Sequence, residues 1–290
     1  MAAKILVTGS TGTVGSLLIK ELSKKTPVRA AVHTLSKAEG IKGPNVEIAV
    51  LDLKRKDTLD AALKGIERLY LLTPFTPDQA ELAKTFIDAA KRSGVRYIVK
   101  QSAMGADSEP GITLGRLHRQ VERYIEDSGI PYAFLRPNSF MQNFINFFGS
   151  SIRSEGKIYL PLGQGKVSYI DARDIAATAA EVLTKEGFQG RAIELTGPEA
   201  LSVADVAGAF SEALGRQVIY VDVTPEAARG GMKAAGMNEW SINALMELHD
   251  INKKGYASKV TEQVEEITGR RPLSFRQFAL DNARLLKKAA

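Results

Sequence analysis

Apolar residues along the chain follow two alternating rhythms. Lys4-Ile5-Leu6-Val7-Thr8, Val28 to Val32, Val46 to Val50, Leu69-Tyr70-Leu71-Leu72, Tyr97 to Val99 and Ala133-Phe134-Leu135 are short, nearly unbroken runs, the pattern of strands buried on both faces. Between them apolar residues recur every three or four positions, at Val14, Leu17, Leu18 and Leu22, at Leu59 and Leu63, at Leu82, Phe86, Ile87 and Ala90, and at Leu117, Val121, Tyr124 and Ile125. That spacing predicts amphipathic helices. Thr73-Pro74, Ser93-Gly94 and Ser128-Gly129 supply the stops. Strands alternating with helices predict right-handed βαβ units and an α/β fold built on a doubly wound parallel sheet. From Asn138 the rhythm loosens. Helices at Asp174–Leu183, Ser202–Leu214 and Asn238–His249, with strands near Ala192–Leu195 and Val218–Val223, predict a smaller C-terminal α/β lobe. The expectation is one continuous domain, with residues 1–137 mainly the sheet core and 138–290 mainly the lobe. Ser202 and Asp205 have the spacing of a helix-capping pair.

Composition narrows the classes of function. The 290-residue chain is 44% hydrophobic and 25% charged, an ordinary globular balance. It has no cysteine, which excludes disulfides, thiolate catalysis and cysteine-held metal clusters. His33, His118 and His249 lie far apart in sequence, without metal-ligand spacing, so no metal is expected. The net charge of +6 is spread along the chain, the mark of a solvated surface rather than a nucleic-acid footprint. No 18-residue apolar stretch is present, so no membrane partner is expected. The first apolar run is too short for a secretory leader. The reading is a cytoplasmic protein acting on a small molecule, with a homodimer left open.

Gly9-Ser10-Thr11-Gly12-Thr13-Val14-Gly15 lies between the first strand and the first helix, the context that makes a glycine fingerprint credible. Gly9 permits the tight turn, Gly12 lets backbone approach a pyrophosphate, and Gly15 lets the helix pack close to the sheet. The N–H groups of this loop, Thr11, Thr13 and Val14 included, would hold the phosphates at the positive end of the helix dipole. The fold class is therefore a Rossmann-type α/β sheet. An NAD site places an acid after the second strand for the ribose 2′-hydroxyl, whereas Ala30-Ala31-Val32-His33-Thr34 carries none. His33 and Lys37, helped by Arg29 or Ser36, are candidates to meet a 2′-phosphate instead. NADP(H) is favoured, with NAD(H) the alternative.

Gly9-x-x-Gly12-x-x-Gly15, Asp52-Leu53, Leu135-Arg136-Pro137, Asp171-x-x-Asp174 and Phe275-x-x-Phe278-Ala279 together resemble the atypical short-chain dehydrogenases. They are most similar to the NmrA-like branch, which contains quinone reductases, triphenylmethane-dye reductases and NADPH-sensing regulators. The resemblance implies that Asp52 and Leu53 flank the adenine. By the same resemblance Thr73, Pro74 and Phe75 lie on the ribose-pyrophosphate side, and Pro137, Asn138 and Phe140 lie near the nicotinamide. It also places Ser102 where the superfamily has its active-site serine.

The chain departs from the superfamily at the catalytic centre. None of the eight tyrosines is followed four residues later by lysine, so the usual Tyr-x-x-x-Lys acid is missing. The matching helix reads Leu114-Gly115-Arg116-Leu117-His118, with Leu114 in place of the tyrosine and His118 in place of the lysine. Ser102 and His118 are the catalytic candidates; a turn cap and a structural histidine are the plainer readings. Asp171 and Asp174 look like helix capping. Phe140, Met141, Phe144, Phe147 and Phe148 either line a substrate pocket or pack a core. These features together predict an NAD(P)H-dependent oxidoreductase passing hydride to a quinone-like or conjugated aromatic acceptor. The alternative is a non-catalytic NADP(H)-sensing regulator.

Overall fold

The computed structural model describes residues 2–287, which form two compact units. One unit comprises the chain up to Gly111, Gly115–Arg136 and Ala172–Glu194; the other comprises Ile112–Leu114, Pro137–Asp171 and the chain from Leu195 onward. A division at 137/138 alone does not describe them, because the chain returns to the first unit after Asp171.

The first unit opens with β1 (Ile5–Val7), α1 (Thr13–Ser23), β2 (Val28–Val32), β3 (Val46–Val50), α2 (Lys56–Leu63) and β4 (Arg68–Leu71). It continues through α3 (Gln79–Arg92), β5 (Tyr97–Gln101), α4 (Thr113–Ser128) and β6 (Tyr132–Pro137). In the second unit α5 (Gln142–Glu155) and β7 (Lys157–Leu160) follow, and α6 (Ala172–Thr184) and β8 (Arg191–Leu195) return to the first. The sheet order is β3-β2-β1-β4-β5-β6-β8, and the pairs from β3 to β6 are parallel. Strand order reverses at β1/β4, the switch point at which open α/β sheets bind ligands. Leu6, Leu69, Ile98 and Phe134 from the strands pack with Leu59, Phe86, Val121 and Ile125 from α2, α3 and α4. The helix stops come where expected, with Gly94 at φ 82° and Gly129 at φ 75°.

α4 presents more than an apolar stripe. Glu122 on its inner face is 0% exposed, and the Arg136 side chain from β6 is 6% exposed. The two meet in a fork, Nε to Oε1 at 3.0 Å and Nη2 to Oε2 at 2.7 Å. Arg119 joins at 3.2 Å, and Asp107 takes the remaining Arg136 nitrogen at 2.5 Å. Arg136 in the Leu135-Arg136-Pro137 motif thus serves the packing of α4 on β6.

The second unit is finished by α7 (Val203–Leu214), β9 (Ile219–Asp222), α8 (Pro225–Ala234), α9 (Glu239–Lys253), α10 (Gln263–Thr268) and α11 (Phe275–Leu286). β7 and β9 form a small parallel ribbon, with Lys157 opposite Ile219 and Leu160 opposite Asp222. Its core is aromatic: Phe144, Tyr169, Phe210, Phe275 and Phe278 meet edge to face around Phe275. The expected Ser202/Asp205 capping box opens α7. Among the described residues no helix is long and apolar enough to cross a membrane, and no cluster of metal-binding side chains occurs.

Removing one partner of a buried pair leaves the other charge uncompensated, at about 3–5 kcal/mol. Arg136→Met should therefore destabilise the protein in urea unfolding by less than that full amount, because Arg119 still meets Glu122. Adding Glu122→Gln to Arg136→Met should recover much of the loss, because no orphaned charge then remains.

Candidate active site

The loop after β1 is held by two hydroxyls. Thr8 Oγ1 donates to the Leu72 carbonyl at 2.9 Å and accepts from the Leu72 N–H at 2.7 Å, joining the ends of β1 and β4. Ser10 Oγ donates to the Ala31 carbonyl at 2.5 Å, joining the loop to β2. Gly9 turns at φ 62°, and its carbonyl accepts the Gly12 N–H at 2.9 Å. A Cβ on Gly15 would stand 2.1 Å from the Gly9 oxygen, so α1 can approach the loop only through a glycine. Gly12 differs. A Cβ there would meet only the Gly9 oxygen, at 3.2 Å, with the rest of its surroundings open. No side chain caps α1 at Gly12, which leaves the first-turn N–H groups of Thr13, Val14 and Gly15 facing outward for an anion. A loop with room over its middle glycine and an uncapped helix behind it fits a dinucleotide pyrophosphate.

His33 and Lys37 are exposed beyond β2, Lys37 on a 3₁₀ turn, Leu35–Ile41. Arg29 is not available to help them. Its guanidinium is buried against the Ala62 and Lys64 carbonyls at 2.7 and 2.8 Å and pairs with Glu47 at 2.9 Å. Asp52 holds its own turn, accepting the Lys54 N–H at 2.9 Å, and the Thr58 hydroxyl donates to its carbonyl at 2.9 Å. Leu53 packs on the sheet core. Thr73 follows β4, 6% exposed, with a hydroxyl that meets no protein partner; Pro74 and Phe75 beside it are exposed.

Ser102 extends β5, its N–H donating to the Leu135 carbonyl at 2.7 Å. Its hydroxyl is buried and meets no partner among the described residues. Two residues earlier, and so on the same side of the strand, stands a residue the sequence reading missed. Lys100 is fully buried, its Nζ 3.2 Å from His118 Nδ1 and donating to the Gln101 carbonyl at 2.6 Å. Burial pushes its ammonium down to about 7, partly opposed by the negative charge of Glu122. Burial, and then Lys100, hold the His118 imidazole well below the usual histidine range. While Lys100 is an ammonium it has donors only, so Nδ1 accepts and the ring proton sits on Nε2. Leu114, in the first turn of α4, brings no proton of its own. A lysine inside an otherwise apolar strand run was the available signal.

Pro137, Asn138 and Phe140 belong to the second unit. The Asn138 amide is committed there, donating to Ser168 Oγ at 2.7 Å and to the Ala257 carbonyl at 2.8 Å. Phe140 bridges Ile170 and faces a cavity of about 590 Å³. Phe144, Phe147, Phe148, Leu160, Met232 and Leu248 share its wall. The aromatic cluster has both of the roles weighed for it. Phe140, Phe147 and Phe148 line the cavity, Met141 is core, and Phe144 is both. Asp171 accepts from Gln142 Nε2 at 2.9 Å. Ser139, Asn143, Ser151, Tyr159 and Tyr169 also line the wall, but its buried side-chain polar atoms without a partner among the described residues are both on α9: His249 Nδ1 and Asn252 Oδ1. Burial takes the His249 imidazole down to about 4.

The sequence profile of the NmrA-like family matches residues 1–271. The chain belongs to the NmrA-like family. Among curated relatives of this NmrA-like chain, the NAD(P)H azoreductase of Xenophilus azovorans is 40% identical over 280 residues, covering 96% of this chain and 98% of that one. Among solved structures, the Citrobacter sp. triphenylmethane reductase complexed with NADP(H) superposes with TM-score 0.86 at 27% identity, over 96% of this chain and 99% of that one. The Escherichia coli NADPH-dependent quinone oxidoreductase complexed with NADPH gives TM-score 0.86 at 26% identity, over 95% and 98%.

Two outcomes are expected. Gly12→Val should fold, since its side chain meets little of the protein, yet lose NADPH binding in a fluorescence titration because it fills the pyrophosphate space; unchanged affinity would remove the loop's assignment. Lys100 holds its proton less tightly folded than unfolded, about 7 against 10.5. Between those values the unfolded chain carries the extra proton, so stability rises with pH through that window, by at most about 1.4 kcal/mol per pH unit. Urea unfolding at pH 7 and 9.5 should show this rise, and Lys100→Met should abolish it.

Proposed function

We propose that the chain is an NAD(P)H-dependent reductase that passes hydride to quinone-like or conjugated aromatic acceptors, azo dyes included. The observation that carries the reading is the end-to-end likeness to the azoreductase, joined to a phosphate loop that fits the dinucleotide. The Gly9–Gly15 loop and the start of α1 would hold the pyrophosphate. Asp52 and Leu53 would flank the adenine, Thr73, Pro74 and Phe75 the ribose side, and His33 and Lys37 the 2′-phosphate that favours NADP(H). Bound in this way, the reduced nicotinamide supplies the hydride.

The protein's own contribution is a proton and an orientation. His118 presents Nε2–H, and Lys100 on the other ring nitrogen replaces that proton once it is given to the acceptor's oxygen or nitrogen. The acidity on offer is that of an ammonium poised near neutrality. The unpartnered Ser102 hydroxyl donates a hydrogen bond to the same acceptor atom. Ser102 and His118 polarise the acceptor atom, and acceptors that already take hydride readily, quinones and extended conjugated systems, react faster than simple ketones.

The test is NADPH oxidation against a matched series of quinones, azo dyes, conjugated enones and unactivated ketones. Activity should fall as pH rises above about 7, as Lys100 loses its proton. Lys100→Met should flatten that limb and reduce kcat by about 10²–10⁴, the usual worth of a general acid. Brisk ketone reduction, or an unaltered pH profile in Lys100→Met, would overturn this mechanism. Tight NADPH binding with no turnover of any acceptor would make the chain a sensor.

A further inference from the structure

We propose that His249 and Asn252 form one recognition point in the apolar cavity of the second unit, and that it takes a hydroxyl carried on the aromatic ring of the acceptor. The proposal rests on the reductase reading for the identity of the ligand, but not for the existence of the point.

Buried polar atoms in proteins are almost always hydrogen-bonded, and the exceptions cluster where a ligand completes them. Asn252 is 4% exposed, lines the cavity, and its Oδ1 has no protein donor. His249 lines the same cavity with Nδ1 buried and unpartnered. The two stand three residues apart on α9, so they are neighbours on one helix face. The other polar residues of the wall, Ser139, Asn143, Ser151, Tyr159 and Tyr169, have no buried side-chain polar atom left without a partner among the described residues, and the remainder is carbon. Gly165 packs closely against the end of α9: a Cβ there would lie 2.3 Å from the Asn252 carbonyl oxygen and 2.7 Å from Lys253 Cα.

The chemistry of the pair selects among ligands. Oδ1 of an asparagine accepts and cannot donate. The His249 imidazole is neutral at pH 7, since burial takes it down to about 4, and a neutral ring offers a single N–H. A hydroxyl satisfies both groups, donating its hydrogen to Asn252 Oδ1 and accepting from Nδ1–H of His249. A ring carbonyl serves only His249 and leaves Asn252 orphaned. A carboxylate or sulfonate would set negative charge against the Asn252 oxygen. The surrounding phenylalanines and methionine supply the contact for a flat aromatic ring, and about 590 Å³ accommodates one of two or three fused rings.

Binding is measured first without turnover, by calorimetry of the full chain with 2-naphthol and 2-methylnaphthalene, which differ in hydroxyl against methyl. Wild type should favour 2-naphthol by about tenfold, the scale of one net hydrogen bond. Asn252→Leu should abolish the preference, and His249→Phe should reduce it. Asn252→Leu exchanges an orphaned polar atom for carbon of similar size, so its Tm should match or exceed that of wild type. The same preference should reappear in KM for 6-hydroxy- over 6-methyl-1,4-naphthoquinone with NADPH. No hydroxyl preference in wild type, or a full preference retained in Asn252→Leu, overturns the proposal. A preference lost in Asn252→Leu, with neither quinone reduced, upholds the recognition point and overturns the reductase reading instead.

Discussion

Glu122 carries a carboxylate that solvent does not reach, and a charge so placed persists only where cations meet it. Arg136 from β6 and Arg119 from α4 do so directly. Lys100 on β5 feels it electrostatically, and without that negative charge burial would depress the lysine further. His118, one helical turn before Glu122, is set by Lys100 in turn. The charges that dock α4 on the sheet therefore also bear on Lys100, whose ammonium burial pushes down and Glu122 partly holds up. Buried ion pairs of this kind contribute little net stability over well-packed hydrocarbon. Their value here lies in fixing which helix face meets which strands and in poising one ammonium near neutrality.

What could be read from residue order follows from how local each requirement is. The glycine loop was legible because a strand, three spaced glycines and a helix lie within 20 residues of one another, and Gly12 and Gly15 both answer to the Gly9 oxygen inside that stretch. The strands from β1 to β6 were legible for the same reason. Arg29 misled because periodicity places a residue on a strand but does not show where a long side chain runs; here it turns to the Ala62 and Lys64 carbonyls. Lys100 escaped because its meaning depends on α4, 18 residues away. α5 carried its signal unread, since Phe140, Phe144, Phe147 and Phe148 recur at helical spacing, and β7 is only four residues long. His249 looked isolated among three scattered histidines; only folding puts it in a wall with Phe140 and Leu160.

α8 closes part of the cavity and differs from every other part of that wall. It contributes Ala227, Ala228, Gly231 and Met232 to the lining, yet none of its residues is buried. A Cβ on Gly230 or Gly231 would touch nothing, so neither glycine is required by packing, and each lowers helix propensity by roughly 1 kcal/mol relative to alanine. The helix is kept by its Thr224 cap and Pro225 at the first position, both independent of what its cavity side presents. Side chains there can be exchanged without disturbing the Phe275 cluster or the sheet. On the proposed reading, acceptor range can therefore drift under selection while cofactor binding and fold stay fixed, and lineages sharing this scaffold can part in substrate by changes confined to a single, weakly anchored helix.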